Sequence, residues 1–246
     1  MKRKYRQTKD LNCGKKKKIM NKIPIILSWS GGKDSSFALY HLLKSKKYEI
    51  KYLLTNIYKP NKRVSMHGVP EHLIVAQAKA IGIPLKIMYL EEKTNEAYET
   101  KMKALLVEAK AEGINTVAFG DIFLEDLREY REMRLKEVEM DAIFPLWNKS
   151  TKKLAADFIK NGFRTHVCSI DNSKIPEHLI GKDFSLDFLK QLPKNIDPCG
   201  ENGEFHTFCY EGPIFRYPIR FDVNPPLIKT YEMGDKTYEY TFSDIF

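Results

Sequence analysis

The chain of 246 residues lacks any apolar run that approaches the length of a membrane span. Its basic N-terminus has no apolar h-region of the kind a secretory signal carries. Cysteine is scarce too: Cys13, Cys168, Cys199 and Cys209 have no regular spacing and include no C-x-x-C pair. That argues against a disulfide scaffold and leads us to expect a reducing cytoplasm. Internal repeats are absent, and so is low-complexity sequence beyond the first 22 residues. Excess charge is missing from most of the chain as well. The net charge is +9, but residues 1–22 hold ten Lys or Arg against Asp10 alone, leaving 31 basic and 31 acidic residues for the remainder. A nucleic-acid role for the folded surface loses its main support, and only the tail would meet nucleic acid or an acidic partner. Residues 1–22 are read as a disordered extension, with an early start codon ahead of Met20 as the alternative.

What remains is a body of ordinary globular composition, 43% hydrophobic and 30% charged. We expect one large domain, or a domain with a smaller appended part. Ile23–Leu27 reads as a buried strand, residues 36–43 as a helix, residues 48–57 as a second strand and residues 69–81 as a helix. A strand at 84–90, a helix at 95–112, a strand at 116–121, a charged helix at 125–140 and a short strand at 142–145 follow. This alternation implies an α/β fold with a parallel, doubly wound sheet and right-handed crossovers. Ligands in such a sheet sit at the carboxyl ends of the strands. Ser30, Thr55, Asn56, Gly120 and Asp121 all fall at those ends. Beyond Trp147 a helix at 152–161 and a strand at 163–169 would still suit the sheet. The rest reads as a smaller mixed α+β part whose last residues form edge strands closing the fold.

The densest motif is Ser30-Gly31-Gly32-Lys33-Asp34-Ser35, between the first strand and the first helix. Two glycines permit a tight turn, and successive N–H groups with the helix N-terminus make an anion site. The hydroxyls cap or donate, Lys33 adds a positive charge, and Asp34 beside a phosphate calls for a cation such as Mg²⁺. The lysine follows Gly-Gly directly, which is not the loop of P-loop NTPases. The hexapeptide resembles the PP-loop of the N-type ATP pyrophosphatases, which cut ATP between the α- and β-phosphates.

A second cluster, Asp197-Pro198-Cys199-Gly200-Glu201-Asn202-Gly203-Glu204-Phe205-His206-Thr207, gathers carboxylates, a histidine and a threonine. On an extended segment Glu204 and His206 would share one face. Carboxylates so grouped would hold ammonium, remove its extra proton, or bind Mg²⁺. The plain alternative is a tight turn with solvated acids.

The pairing of Ser30–Ser35 with Gly200-Glu201-Asn202-Gly203-Glu204-Phe205-His206-Thr207 resembles the diphthine–ammonia ligase family, and Pro145-Leu146-Trp147 matches a tripeptide of that family. The resemblance covers about residues 23–222. It implies an adenine nucleotide alpha hydrolase-like (HUP-type) fold, with a PP-loop ATP-binding part at 23–150 and a substrate-side part at 151–246. It also implies amidation: a carboxylate on a modified histidine of elongation factor 2 is adenylated, pyrophosphate leaves, and ammonia attacks. ATP and Mg²⁺ are the implied cofactors, with ammonium and a carboxylate acceptor as partners, and a homodimer is entertained. Carried over by residue, Ser30, Gly31, Gly32, Lys33, Asp34 and Ser35 would hold the phosphates, with Thr55, Asn56, Gly120 and Asp121 near the nucleotide. Glu201, Asn202, Gly203, Glu204, His206 and Thr207 would line the acceptor or ammonia side. Lys33, Asp34, Glu201, Glu204 and His206 are the catalytic candidates. Arg63-Val64-Ser65-Met66-His67-Gly68-Val69 resembles the version in bacterial relatives more than others, and His67 would reach the site from the second strand. Bacteria are not known to make diphthamide, so for such a relative the family name would describe chemistry and not substrate.

Competing readings stay open. Cys168, Cys199, His206 and Cys209 would suit zinc only with looser spacing than such sites usually have. The same loop serves tRNA thiolation, which usually adds catalytic cysteines, a zinc module or a basic RNA-binding domain. A nucleotide-binding regulator would hold ATP without turnover. The aromatic residues of 89–98 and 119–123 read as core, and Glu125–Glu132 as a solvated helix face.

Overall fold

The computed structural model describes residues 22–246 except Met66, Lys93, Gly234 and Asp235, so the expectation for the basic tail lies almost wholly outside it. Five parallel strands build the first sheet: β1 (Ile23–Ser28), β2 (Tyr48–Tyr58), β4 (Leu85–Leu90), β5 (Thr116–Ala118) and β6 (Asp141–Ile143). They lie in the order β4–β2–β1–β5–β6, and the two-residue β3 (Arg63–Val64) pairs antiparallel with the end of β2. The order reverses between β1 and β5, so the crevice where α/β sheets take ligands opens beyond Ser28 and Ala118.

The helices cover both faces because successive strand residues point to opposite sides. Ile25 and Leu27 pack with α1 (Lys33–Ser45) and α2 (Glu71–Ile81). Ile26, Leu54 and Val117 pack with α3 (Asn95–Ala111) and α4 (Glu125–Lys136). These strands are apolar on both faces, as a buried parallel sheet requires. The doubly wound α/β expectation is met.

After α5 (Thr151–Lys160), the strand expected in the first sheet departs from it. β7 (Arg164–Asp171) belongs to a second, antiparallel sheet with β8 (Phe205–Glu211), β9 (Val223–Met233) and β10 (Lys236–Ile245), in the order β8–β7–β10–β9. Residues 163–169 carry no signal for which sheet they join, because the partners of β7 come from far along the chain. Of the two terminal strands, β10 sits inside this sheet and only β9 is an edge. Between β7 and β8 runs a single 3-10 turn and the short α6 (Leu186–Gln191). The two sheets share one core: Phe37 of α1 meets Phe158 and Phe163 edge-on, and Phe205 and Phe208 join the same buried cluster.

Candidate active site

The chain leaves β1 through Trp29 and turns at Gly31, whose φ of +79° is open to glycine and strained for other residues. Gly32 answers a different need. A Cβ there would stand 2.8 Å from His67 Cε1 and 2.9 Å from Thr207 O, so neighbouring chain segments leave no room for one. α1 begins at Lys33 with no cap from its own N-cap residue. The cap is supplied from 174 residues away, where Thr207 Oγ1 accepts from Lys33 N at 3.0 Å. Cys209 N donates to Gly31 O at 2.8 Å, and His67 Nδ1 lies 3.1 Å from Thr207 O. A carbonyl only accepts, so His67 carries its proton on Nδ1. The phosphate-type loop and the Gly200–Thr207 segment are thus one wired unit.

Gln77 of α2 is the hidden part of that wiring. It is fully buried; its amide donates to Gly31 O at 2.9 Å and Cys209 O at 2.6 Å, and its oxygen accepts from Trp29 Nε1 at 2.9 Å. Sequence reasoning missed it, because a glutamine inside a helical pattern carries no outward signal.

The loop faces a cavity of about 640 Å³. Ser30, Lys33, Asp34, Ser35, Thr55, Asn56, His67, Gly120, Asp121, Glu201, Gly203, His206 and Thr207 all line it, so most of the sequence-derived candidates converge. Gly31, Gly32, Asn202 and Glu204 do not line it. Glu204 is 3% exposed, and its Oε1 accepts from Asn202 Nδ2 at 3.0 Å and Asp197 N at 3.3 Å. The expectation that Glu204 and His206 share a face therefore fails: β8 starts at Phe205, and Glu204 sits in the bend before it.

Lys33 Nζ reaches both oxygens of Asp34, at 2.8 and 2.6 Å, and lies 5.6 Å from the centre of the Phe205 ring. Burial works against its ammonium, but Asp34, with Cys199 and Glu201 behind it, more than offsets that and the Lys33 pKa rises. Glu201 Oε1 accepts from Ile122 N at 2.6 Å and Phe123 N at 3.4 Å, just beyond β5. Burial, with Asp34 next, pushes the Glu201 carboxyl up to about 7. The rings of His67 and His206 stand 4.6 Å apart. Burial lowers His67 to about 4 and His206 well below its ordinary value, the latter helped by His67 and Lys33, so both are neutral at pH 7. His206 Nε2 is buried and has no hydrogen-bond partner among the described residues. Gly120 packs against the start of α1, where a Cβ would lie 3.0 Å from Asp34 C.

The α4 reading needs correction. Arg128 and Glu132 do form an exposed-side pair at 2.8 Å, but Leu127, Tyr130 and Arg131 line the cavity. Arg131 Nε pairs with Asp121 Oδ2 at 2.9 Å, and its guanidinium lies 4.4 Å over the Phe119 ring. Tyr98 and Phe119, read as core, line the cavity as well. Arg131 was hidden by the charges around it in sequence. Cys168, Cys199 and Cys209 are buried; Cys199 donates to Thr151 O and Cys209 to Glu211 O. Among the described residues no group of three or more His, Cys, Asp or Glu is placed to hold a metal.

Residues 23–142 match the family model of the diphthamide synthase N-terminal domain, and residues 150–238 that of its C-terminal domain. The chain belongs to the diphthamide synthase family. Similar proteins named diphthine–ammonia ligase come from Schizosaccharomyces pombe (25% identical over 77% of this chain and 34% of that protein), Rattus norvegicus (23%, 81% and 83%) and Homo sapiens (22%, 81% and 83%). The chain spans about a third of the fission-yeast protein and most of the two mammalian ones. A solved U34-tRNA thiolase from Methanococcus maripaludis, with its [4Fe-4S] cluster, is similar over 57% of both chains at 20% identity and a TM-score of 0.35, a likeness too slight to argue from. Among the described residues no helix is long and apolar enough to cross a membrane.

Proposed function

We propose that the protein is an ATP-dependent amide ligase of the diphthine–ammonia ligase type, which adenylates a carboxylate, releases pyrophosphate and transfers ammonia. One observation carries the reading: the Ser30–Ser35 loop and the Gly200–Thr207 segment are hydrogen-bonded together and face one cavity. A carboxylate is a poor electrophile, and joining it to AMP supplies a leaving group. That needs the phosphate site and the acceptor site to share one space.

In this reading the N–H groups at the start of α1, with Ser30, Ser35 and Lys33, hold the phosphates, and the developing charge meets donors already in place. Thr55, Asn56, Gly120 and Asp121 stand near the nucleotide. His67, His206 and Thr207 wall the acceptor side with neutral groups, while Asn202, Gly203 and Glu204 shape the turn that carries Glu201. A single carboxylate facing phosphates suits Mg²⁺, which takes most of its ligands from phosphate and water. Asp34 is the residue that would hold it, and the ion would neutralise phosphate charge. Residues 23–150 form the ATP-binding part and 151–246 the substrate side. We place the enzyme in the cytoplasm, with ATP, ammonium and a carboxylate acceptor as partners and a homodimer as its assembly.

The thiolation reading needs a reactive thiol. Burial pushes Cys168 upward and Cys199 and Cys209 up to about 12, which leaves all three inert as nucleophiles. A regulator would bind ATP without turnover.

The test measures AMP and pyrophosphate from ATP, Mg²⁺ and ammonium, with and without diphthine-bearing elongation factor 2 or an extract of the source cell. Acceptor-dependent AMP and pyrophosphate are expected, abolished in a folded Asp34→Ala variant. ADP with phosphate, or tight nucleotide binding without turnover, would overturn the reading.

A further inference from the structure

Three carboxylates line the main cavity, and they differ in what they already hold. Asp34 is bound by Lys33 at 2.6 Å and Asp121 by Arg131 at 2.9 Å. Among the described residues Glu201 forms no ion pair, although Lys33 lies near enough to act on it. Its Oε1 is fixed by the amides of Ile122 and Phe123, and its Oε2 makes no hydrogen bond among the described residues. The charged and titratable groups around it are Lys33 and Asp34 from α1, Asp121 beyond β5, and the His67–His206 pair on the cavity wall. The two imidazoles are neutral, Asp121 is committed to Arg131, and Asp34 to Lys33 or to the Mg²⁺ proposed there, which leaves Glu201 as the cavity carboxylate open to the incoming ammonium. Glu204, the other acid of the segment, is turned away and tied to Asp197 N and Asn202.

We propose that Glu201 binds the incoming ammonium through its free oxygen and takes its extra proton, whereas Glu204 is a positioning residue that holds the turn. The inference rests on the ligase reading and deepens it by giving the nitrogen substrate a site. An ammonium N–H bond breaks and the proton passes to Glu201. The electron pair left on nitrogen forms the C–N bond at the acyl carbon. The C–O bond to the phosphate then breaks, its electrons leave with AMP, and the new amide nitrogen loses its surplus proton to water. Burial of the carboxyl sets it at about 7, where it both accepts and releases a proton near neutral pH.

Glu201→Gln keeps an oxygen to accept from Ile122 N, so the turn stays anchored while the base is lost. Three rates are compared at pH 7 with diphthine-bearing elongation factor 2 as acceptor: ATP–pyrophosphate exchange, amide formation from ammonium, and hydroxamate formation from hydroxylamine. Hydroxylamine is a much weaker base than ammonia and is already neutral at that pH. In Glu201→Gln we expect exchange within about threefold of wild type, ammonium-dependent turnover reduced by about a hundredfold or more, and hydroxamate formation largely kept. Glu204→Gln, by contrast, is expected to lower all three together. Ammonium turnover within threefold of wild type in Glu201→Gln, or equal losses with both nucleophiles, would overturn the proposal alone. A wild-type protein that shows no acceptor-dependent exchange would remove the ligase reading and this inference with it.

Discussion

Replacing Gln77 with Leu tests whether the loop is held from behind. The side chain is fully buried and makes three hydrogen bonds, to Gly31 O, to Cys209 O and from Trp29 Nε1. Leu fills nearly the same volume, so little cavity forms and the polar loss dominates. The two bonds to carbonyls contribute about 1 kcal/mol each, and stranding the indole N–H in the core costs about 1–3 kcal/mol. The sum is about 3–5 kcal/mol, a large share of the roughly 5–15 kcal/mol that holds a typical domain together. For a chain of this size each kcal/mol is about 2–4 °C, so Tm should fall by on the order of 10 °C. Urea unfolding followed by tryptophan fluorescence gives the free energy directly, and an unchanged m-value confirms that the folded state is intact. Nucleotide affinity should weaken as well, because the Gly31 carbonyl loses one of its two restraints. A stability change under about 1 kcal/mol would refute the view that Gln77 clamps α2, the loop and β8 together.

Gly32→Ala should cost about 1–3 kcal/mol through overpacking, since the new methyl meets His67 and the Thr207 carbonyl below 3.0 Å. Thermal unfolding measures that cost, and a neutral result would show that β8 can retreat. His67 contributes to the pH dependence of stability with a definite sign. Its folded pKa, lowered to about 4, lies below the unfolded value of 6.5, so between those pH values the unfolded chain binds more protons and stability falls as pH falls. His67→Gln should flatten that slope in urea titrations at pH 4.5–7. Glu201 acts in the opposite sense: its carboxyl, raised to about 7, favours the folded state at low pH and loses that contribution as pH rises through 7. A steeper acid slope in Glu201→Gln than in wild type is the matching observation.

The first half of the fold was legible because its information is local. Apolar strands buried on both faces, amphipathic helices and a Gly-Gly turn each announce themselves within a dozen residues. The strand order, and with it the switch point between β1 and β5, does not follow from that alternation and is seen only in the structure. The second sheet was not legible for the converse reason. β7 pairs with β8 and β10, dozens of residues away, and nothing in residues 163–169 distinguishes that outcome from a sixth parallel strand on the first sheet. Gln77 and Arg131 escaped notice in the same way. Each looks ordinary in its own helix and gains its role from a partner on another element.

The misplacement of Glu204 is the instructive case. Alternation along an extended segment puts residues two apart on one face, which would pair Glu204 with His206. It fails because Gly203, at a φ of +75°, turns the chain just before β8 begins, and the strand rule holds only from Phe205 onward. The same turn lets Glu204 fold back on Asp197 and Asn202 while Gly200, at a φ of +67°, swings Glu201 toward the amides beyond β5. Two glycines thus sort two identical side chains into different environments: one enclosed and bonded within its own loop, the other anchored by one oxygen with the second left toward the cavity. A carboxylate that must exchange protons with a small substrate needs a fixed position and an oxygen the substrate can reach; Glu204 Oε2 also lacks a partner among the described residues but is buried off the cavity, whereas Glu201 lines it.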